Sequence, residues 1–82
     1  MRYEIQLKPW AIKDLKQFDG HTRRRLVEGI EGLENNLAGN VKRLTNFTPE
    51  YRLRIGNYRV LFEVEGTRVI VYRIKHRKDA YQ

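Results

Sequence analysis

The sequence predicts an α+β fold in the order β-α-α-β-β-β, with two helices forming an αα-hairpin packed on one face of a mainly antiparallel, twisted sheet. Three observations lead there. A short N-terminal segment alternates apolar and polar residues; two apolar stripes at helical spacing follow it; and from Tyr51 onward the period becomes two, broken by two glycine turns.

Tyr3, Ile5 and Leu7 alternate with Arg2, Glu4, Gln6 and Lys8 over residues 2–8, the period of a half-buried strand, and Pro9 ends it. Proline is tolerated in a first helical turn. Ala11, Leu15 and Phe18 then recur at i, i+4 and i+7, so residues 9–18 read as a helix closed by Asp19-Gly20. Leu26, Ile30, Leu33 and Leu37 form the stripe of a second helix lasting to about Asn36. Gly39-Asn40 breaks that pattern, and Val41 to Leu44 reads either as a short strand or as a connector ahead of Thr48-Pro49. The remaining apolar residues alternate as Tyr51, Leu53, Ile55, then Tyr58, Val60, Phe62, Val64, then Val69, Val71. Gly56-Asn57 and Glu65-Gly66 punctuate them, each suited to a two-residue hairpin loop that needs positive φ.

At 82 residues the chain is expected to form one domain, and the absence of cysteine leaves neither disulfides nor thiolate metal sites to support it. The N-terminus has interleaved charges in place of a signal-peptide core, and no run of ~18 apolar residues appears. A cytoplasmic location without membrane contact is therefore expected. Seventeen Lys and Arg against ten Asp and Glu give a net charge of +7, which favours anionic partners. The charge is uneven. Residues 1–41 carry seven basic and six acidic side chains, whereas residues 42–82 carry ten and four, so the second half is the one to face an anion.

With Gly56-Asn57 as the loop, Ile55 pairs with Tyr58, Arg54 with Arg59, Leu53 with Val60, Arg52 with Leu61 and Tyr51 with Phe62. This register sends the apolar set to the helices and Arg52, Arg54 and Arg59 to the other face. Like charges directly opposite each other are destabilising unless an anion lies between them, and guanidinium forks suit phosphate. By parity Leu61, Ile70, Tyr72 and Ile74 share this face and form a shallow apolar floor. The tail from Lys75 through His76, Arg77 and Lys78 to Tyr81 leaves the last strand beside it, adding cations and an aromatic ring able to stack on a base. Arg68 and Lys78 join Arg52 and Arg54 as candidate RNA contacts. His76 lies on the arginine face by parity if the strand continues that far; His21, between a helix stop and a helix start, suits a capping or solvated role.

The stretch YRLRIGNYRVLFEVEGTRVIVYRIKHRKDAYQ resembles the C-terminal half of the RelE toxins of the RelE/ParE superfamily, with its basic-x-basic strand, Gly-Asn-Tyr-Arg hairpin and closing His-Arg-Lys-Asp-x-Tyr motif. Trp10-Ala11-Ile12-Lys13-Asp14-Leu15 is similar to the family's first helix, so the resemblance covers essentially the whole chain. It implies a toxin of a type II toxin–antitoxin system: a ribosome-dependent, metal-independent endonuclease without cofactors. Such an enzyme cuts mRNA in the small-subunit decoding site through attack of a ribose 2′-hydroxyl on the adjacent phosphorus. It also implies a RelB-like antitoxin in a hetero-oligomeric complex. By position the resemblance assigns catalytic roles to Arg52, Arg54, Arg59, Arg77 and Tyr81. The family often carries lysines where this strand has Arg52 and Arg54. Arginine stays protonated, so it holds phosphate and stabilises a dianionic transition state but makes a poor base. The base is left open among Lys75, His76, Tyr81 and a ribosomal RNA group, and His76 has the most suitable unperturbed pKa.

Two other readings compete. The ParE branch shares the fold but blocks gyrase without cutting RNA, and fold alone does not separate the branches. A non-catalytic RNA-binding module is the other, although the element order is wrong for a double-stranded-RNA-binding domain and no Gly/Phe-rich recognition signature is present. There is no Gly-rich phosphate loop, no His and carboxylate set at metal spacing, and no serine in the chain.

Overall fold

The structure is a computed structural model that describes residues 1–80. In chain order it comprises β1 (Glu4–Leu7), α1 (Pro9–Lys16), α2 (Gly20–Gly32), β2 (Asn40–Arg43), β3 (Tyr51–Ile55), β4 (Tyr58–Glu65) and β5 (Arg68–His76). The strands form one sheet in the order β1-β5-β4-β3-β2, with β1 parallel to β5 and all other neighbours antiparallel. The expected α+β order holds, with β2 as one strand more. Val41 is the sole apolar residue of β2, whose pattern is too short to read in isolation; pairing with β3 along Asn40–Arg54, Val41–Leu53, Lys42–Arg52 and Arg43–Tyr51 makes it a strand.

Helix α1 starts at Pro9, buries Ala11 and Leu15, and places Lys13 and Lys16 in its last turn, where cations complement the helix dipole. It stops two residues before the expected Phe18. The Arg23 side chain takes over the carbonyls freed there, donating from Nε to the Leu15 oxygen at 3.0 Å and from Nη2 to the Phe18 oxygen at 2.7 Å. Asp19 does more than close α1. Its carboxylate accepts the Thr22 N–H at 2.7 Å and caps α2, with Gly20 already helical. Helix α2 ends at Gly32, earlier than the leucine stripe suggests. The N-terminal segment captures the following backbone: Tyr3 N–H donates to Glu34 O and Asn36 N–H to Met1 O, both at 2.8 Å, while Asn36 and Leu37 turn through φ of 58° and 57°.

One core lies between the helices and the sheet, built from Ala11, Leu15, Leu26, Ile30 and Leu33 against Leu53, Val60, Phe62, Val69, Val71 and Ile74. Helix α1 lies against β5 and α2 against β3. Gly29 permits the second contact, because a Cβ there would collide with Ile55.

The β3–β4 hairpin has the register that a Gly56-Asn57 loop demands, including Arg54 opposite Arg59, and Gly56 adopts φ 56°. The next turn is shifted by one residue. Glu65 pairs with Arg68, so the loop residues are Gly66 and Thr67, not Glu65-Gly66; Gly66, at φ 61°, takes the first loop position that Gly56 takes in the other hairpin. A second departure changes the site. Leu61 pairs with Arg73 but Phe62 pairs with Val71, leaving Tyr72 as the extra residue of a β-bulge that reverses the parity of the rest of β5. Ile74, expected on the arginine face, is therefore a core residue opposite Val60.

Candidate nucleic-acid interface

Across the sheet face turned away from the helices, the pairing builds two rows. The first runs Asn40, Arg54, Arg59, Lys75 over β2, β3, β4 and β5; the second runs Lys42, Arg52, Leu61, Arg73. Neighbouring strands lie ~4.8 Å apart, so Arg54, Arg59 and Lys75 span roughly 10 Å at the backbone. The hairpin end of the sheet thus concentrates positive charge on one surface.

The cations differ in their partners. Arg43 pairs with Glu50 at 3.0 Å, Arg68 with Glu65 at 3.6 Å and Arg73 with Asp14 at 2.9 Å. Among the described residues, Arg52, Arg54, Arg59 and Lys75 have no carboxylate partner. The Arg59 guanidinium folds onto its own hairpin, donating from Nη1 to the carbonyls of Gly56 and Tyr58, both at 3.1 Å, which leaves its other N–H groups for a ligand. Arg52 Nε is buried and lacks an acceptor. Such an arrangement suits an anion with several acceptor oxygens. Leu61 and Ile70 are buried yet stand outside the main core, so part of the expected apolar floor persists beside the arginines.

The bulge separates the two candidate bases. Lys75 lies opposite Arg59 and joins the first row. His76 lies opposite Tyr58, its ring edge-on to the tyrosine at 5.6 Å, on the helix side of the sheet; the strand does continue to His76, but its parity has been reversed. His76 Nδ1 accepts the Lys78 N–H at 3.3 Å.

The sequence matches, over residues 5–81, the model of the ParE toxin of type II toxin–antitoxin systems, parDE. Toxin RelE3 of Methanocaldococcus jannaschii is 39% identical over 75 residues, covering 85% of each chain. The chain belongs to the RelE/ParE family of type II toxins. The RelB-RelE antitoxin-toxin complex from Methanococcus jannaschii contains a chain that matches this RelE-type toxin with a TM-score of 0.76 at 36% identity, covering 93% of this chain and 94% of the other. The RelBE2 complex from Mycobacterium tuberculosis matches with a TM-score of 0.81 over 94% and 100% of the two chains, at 24% identity, and so bears on the fold alone.

In this toxin, then, Arg52, Arg54, Arg59 and Lys75 come together, while the remaining expected residues scatter. Arg77 is exposed just past β5, its N–H held by Asn57 O at 2.8 Å, which keeps the start of the tail beside the β3–β4 turn. Lys78 follows in an exposed turn, and Tyr81 lies outside the described residues. Arg68 sits at the far end of β5, seven residues or roughly 23 Å of strand from Lys75, and is paired with Glu65. His21 is exposed in the first turn of α2, where Asp19 does the capping. Sequence reasoning missed Lys42 and Asp14. Lys42 carried no signal until β2 had a register. Asp14 accepts both Arg73 Nε at 2.9 Å and Nη2 at 3.1 Å, together with the Ile74 N–H at 2.8 Å, and this fork raises the Arg73 pKa further. No helix among the described residues is long and apolar enough to cross a membrane.

Proposed function

We propose that this toxin is an RNA endonuclease that cuts mRNA on the ribosome, with the Arg54–Arg59–Lys75 row as its phosphate site. The observation that carries this reading is the set of five cations on one sheet face, Lys42, Arg52, Arg54, Arg59 and Lys75, that have no carboxylate partner among the described residues. Attack of a ribose 2′-oxygen on the adjacent phosphorus forms a 2′,3′-cyclic phosphate, and the 5′-oxygen departs with a proton. Charge accumulates on the non-bridging oxygens as the bond forms, and preorganised guanidinium groups stabilise it most at that point. Arg52, Arg54 and Arg59 hold the phosphate. Lys75, beside Arg59, is placed to move a proton; His76, turned to Tyr58, is not. Arg77 and Lys78 extend the basic surface along the tail, and Tyr81 remains the proposed stacking or proton-transferring ring. The matching partner is a RelB-like antitoxin whose acidic or amphipathic segment covers this face and neutralises it.

Arg59→Ala tests the assignment. In a translating extract with message 5′ ends mapped, cleavage should fall about a hundredfold, the effect of losing one preorganised donor worth ~3 kcal/mol, while antitoxin binding persists. Cleavage at the wild-type rate would reduce the row to a docking surface. The match to a family described as ParE favours a second reading, in which the toxin inhibits gyrase and cuts nothing. A supercoiling assay with the unmodified toxin decides between them.

A further inference from the structure

Three arginines from three different elements collect at the β3–β4 turn. Arg25 comes from α2, on the helix side. A Cβ added to Gly29 would meet Ile55, and one helical turn earlier the Arg25 guanidinium lies over Gly56, where an added Cβ would stand 3.1 Å from Nη2 and 3.6 Å from Nη1. Arg59 comes from β4 and donates from Nη1 to the Gly56 carbonyl at 3.1 Å. Arg77 comes from the tail, where its backbone N–H is held by Asn57 O at 2.8 Å. Arg25, Gly56, Asn57 and Arg77 are all exposed. Neither Arg25 nor Arg77 has a carboxylate partner among the described residues, although Glu28 stands three residues beyond Arg25 on the same helix.

Two contacts of 3.1 Å made through the same glycine put the Arg25 and Arg59 guanidinium groups roughly 10 Å apart at most, counted over standard bond lengths. Cations gathered so closely repel one another, and an anion placed between them offsets that cost. Arg59 already belongs to the phosphate row, one residue pair from the turn. Arg25 therefore stands where a strand held on that row would carry its next phosphate on passing around the hairpin end. We propose that the Gly56-Asn57 turn is a second phosphate seat, in which Arg25 and Arg77 hold the phosphodiester adjacent to the one on the Arg54–Arg59–Lys75 row. The proposal rests on the RNA reading above and extends it, making Arg25 the residue that fixes which nucleotide of the strand reaches the row. Packing alone gives the charge no role, since an uncharged side chain of similar length would cover Gly56 as well.

The test is amide chemical-shift titration of the full chain with a uridine dinucleotide and a uridine trinucleotide, both 2′-O-methylated so that neither can be cut. They carry a single phosphodiester and a pair of them. The dinucleotide should shift the amides of Arg54 and Lys75. The trinucleotide should shift those of Gly56 and Asn57 as well and bind roughly tenfold more tightly, the worth of one charge-assisted contact. Arg25→Met keeps a stem over Gly56 and removes the charge. It should abolish that gain, lower the trinucleotide's salt slope by about 0.7 and change dinucleotide affinity by no more than about twofold. Arg25→Lys should keep most of the gain, and Arg25→Gln replaces the methionine variant if that one fails to fold. A full gain retained without the charge, or a dinucleotide and trinucleotide bound equally by the wild type while the row responds, overturns the second seat and spares the endonuclease reading. A tri-glutamate peptide that binds more tightly than the trinucleotide, and loses that advantage in Arg25→Met, would assign the turn to an acidic protein segment and overturn the RNA seat. RNA that shifts neither the row nor the turn overturns both readings.

Discussion

Asp19 shows what one side chain contributes to the start of a helix. The Thr22 backbone N–H bond is the main cause that holds its carboxyl below the ordinary value of 3.8; a bond from the Thr22 side chain and the charge of His21 add to it, against a small opposing effect of desolvation. A carboxyl depressed in the folded state stabilises the fold above its unfolded pKa, and the contribution disappears as pH falls through the folded value. Asp19→Ala should therefore lower the melting temperature by a few degrees at neutral pH. The gap between wild type and variant should close as pH drops well below 3.8. Thermal melts recorded across that range check the sign, and a gap that widens in acid would contradict the cap.

At the scale of elements, the bulge in β5 is held from outside the sheet. Strand β1 pairs with β5 only as far as Val71, so the edge beyond lacks a neighbouring strand, and Asp14 of α1 occupies it by accepting from Ile74 N–H and from both arms of Arg73. The Asp14 side chain is 14% exposed and that of Arg73 38%, so solvent screens part of the attraction. Asp14→Ala should cost about 2 kcal/mol, the order of a charge-assisted hydrogen bond lost at a largely buried site. Urea denaturation measures the loss, and faster hydrogen exchange at the Ile74 amide would localise it. The consequence reaches the site, because the same bulge puts Lys75 beside Arg59. Helix α1, with eight residues, is too short to be stable alone and depends on this docking.

For the molecule as a whole, charge and architecture coincide. The helices cover one sheet face, and most of the ten basic residues in positions 42–82 lie on β2 to β5, where the pairing brings Lys42, Arg52, Arg54, Arg59 and Lys75 to the opposite face. Binding to RNA or to the ribosome should weaken steeply with salt, because each phosphate contact releases counterions. Arg54→Ala should reduce the slope of log affinity against log salt by roughly one unit. An unchanged slope would remove Arg54 from the contact surface.

The arginine pair was legible in the sequence because a two-residue turn and a period of two leave a single register once one face must be buried: Gly56-Asn57 alone sets Arg54 against Arg59. The helical stripes of Leu15 and of Leu26, Ile30 and Leu33 were legible for the same reason, since each pattern repeats within a few residues of itself. The membership of Lys42 and Lys75 and the exclusion of His76 were decided elsewhere. Strand β2 exists through its pairing with β3, and the phase of β5 after Val71 reverses at a bulge held by Asp14, about 60 residues away in the chain. Local periodicity is written in the residues that show it. A change of phase is set by whichever distant group satisfies the exposed backbone, and that only the folded chain brings into place.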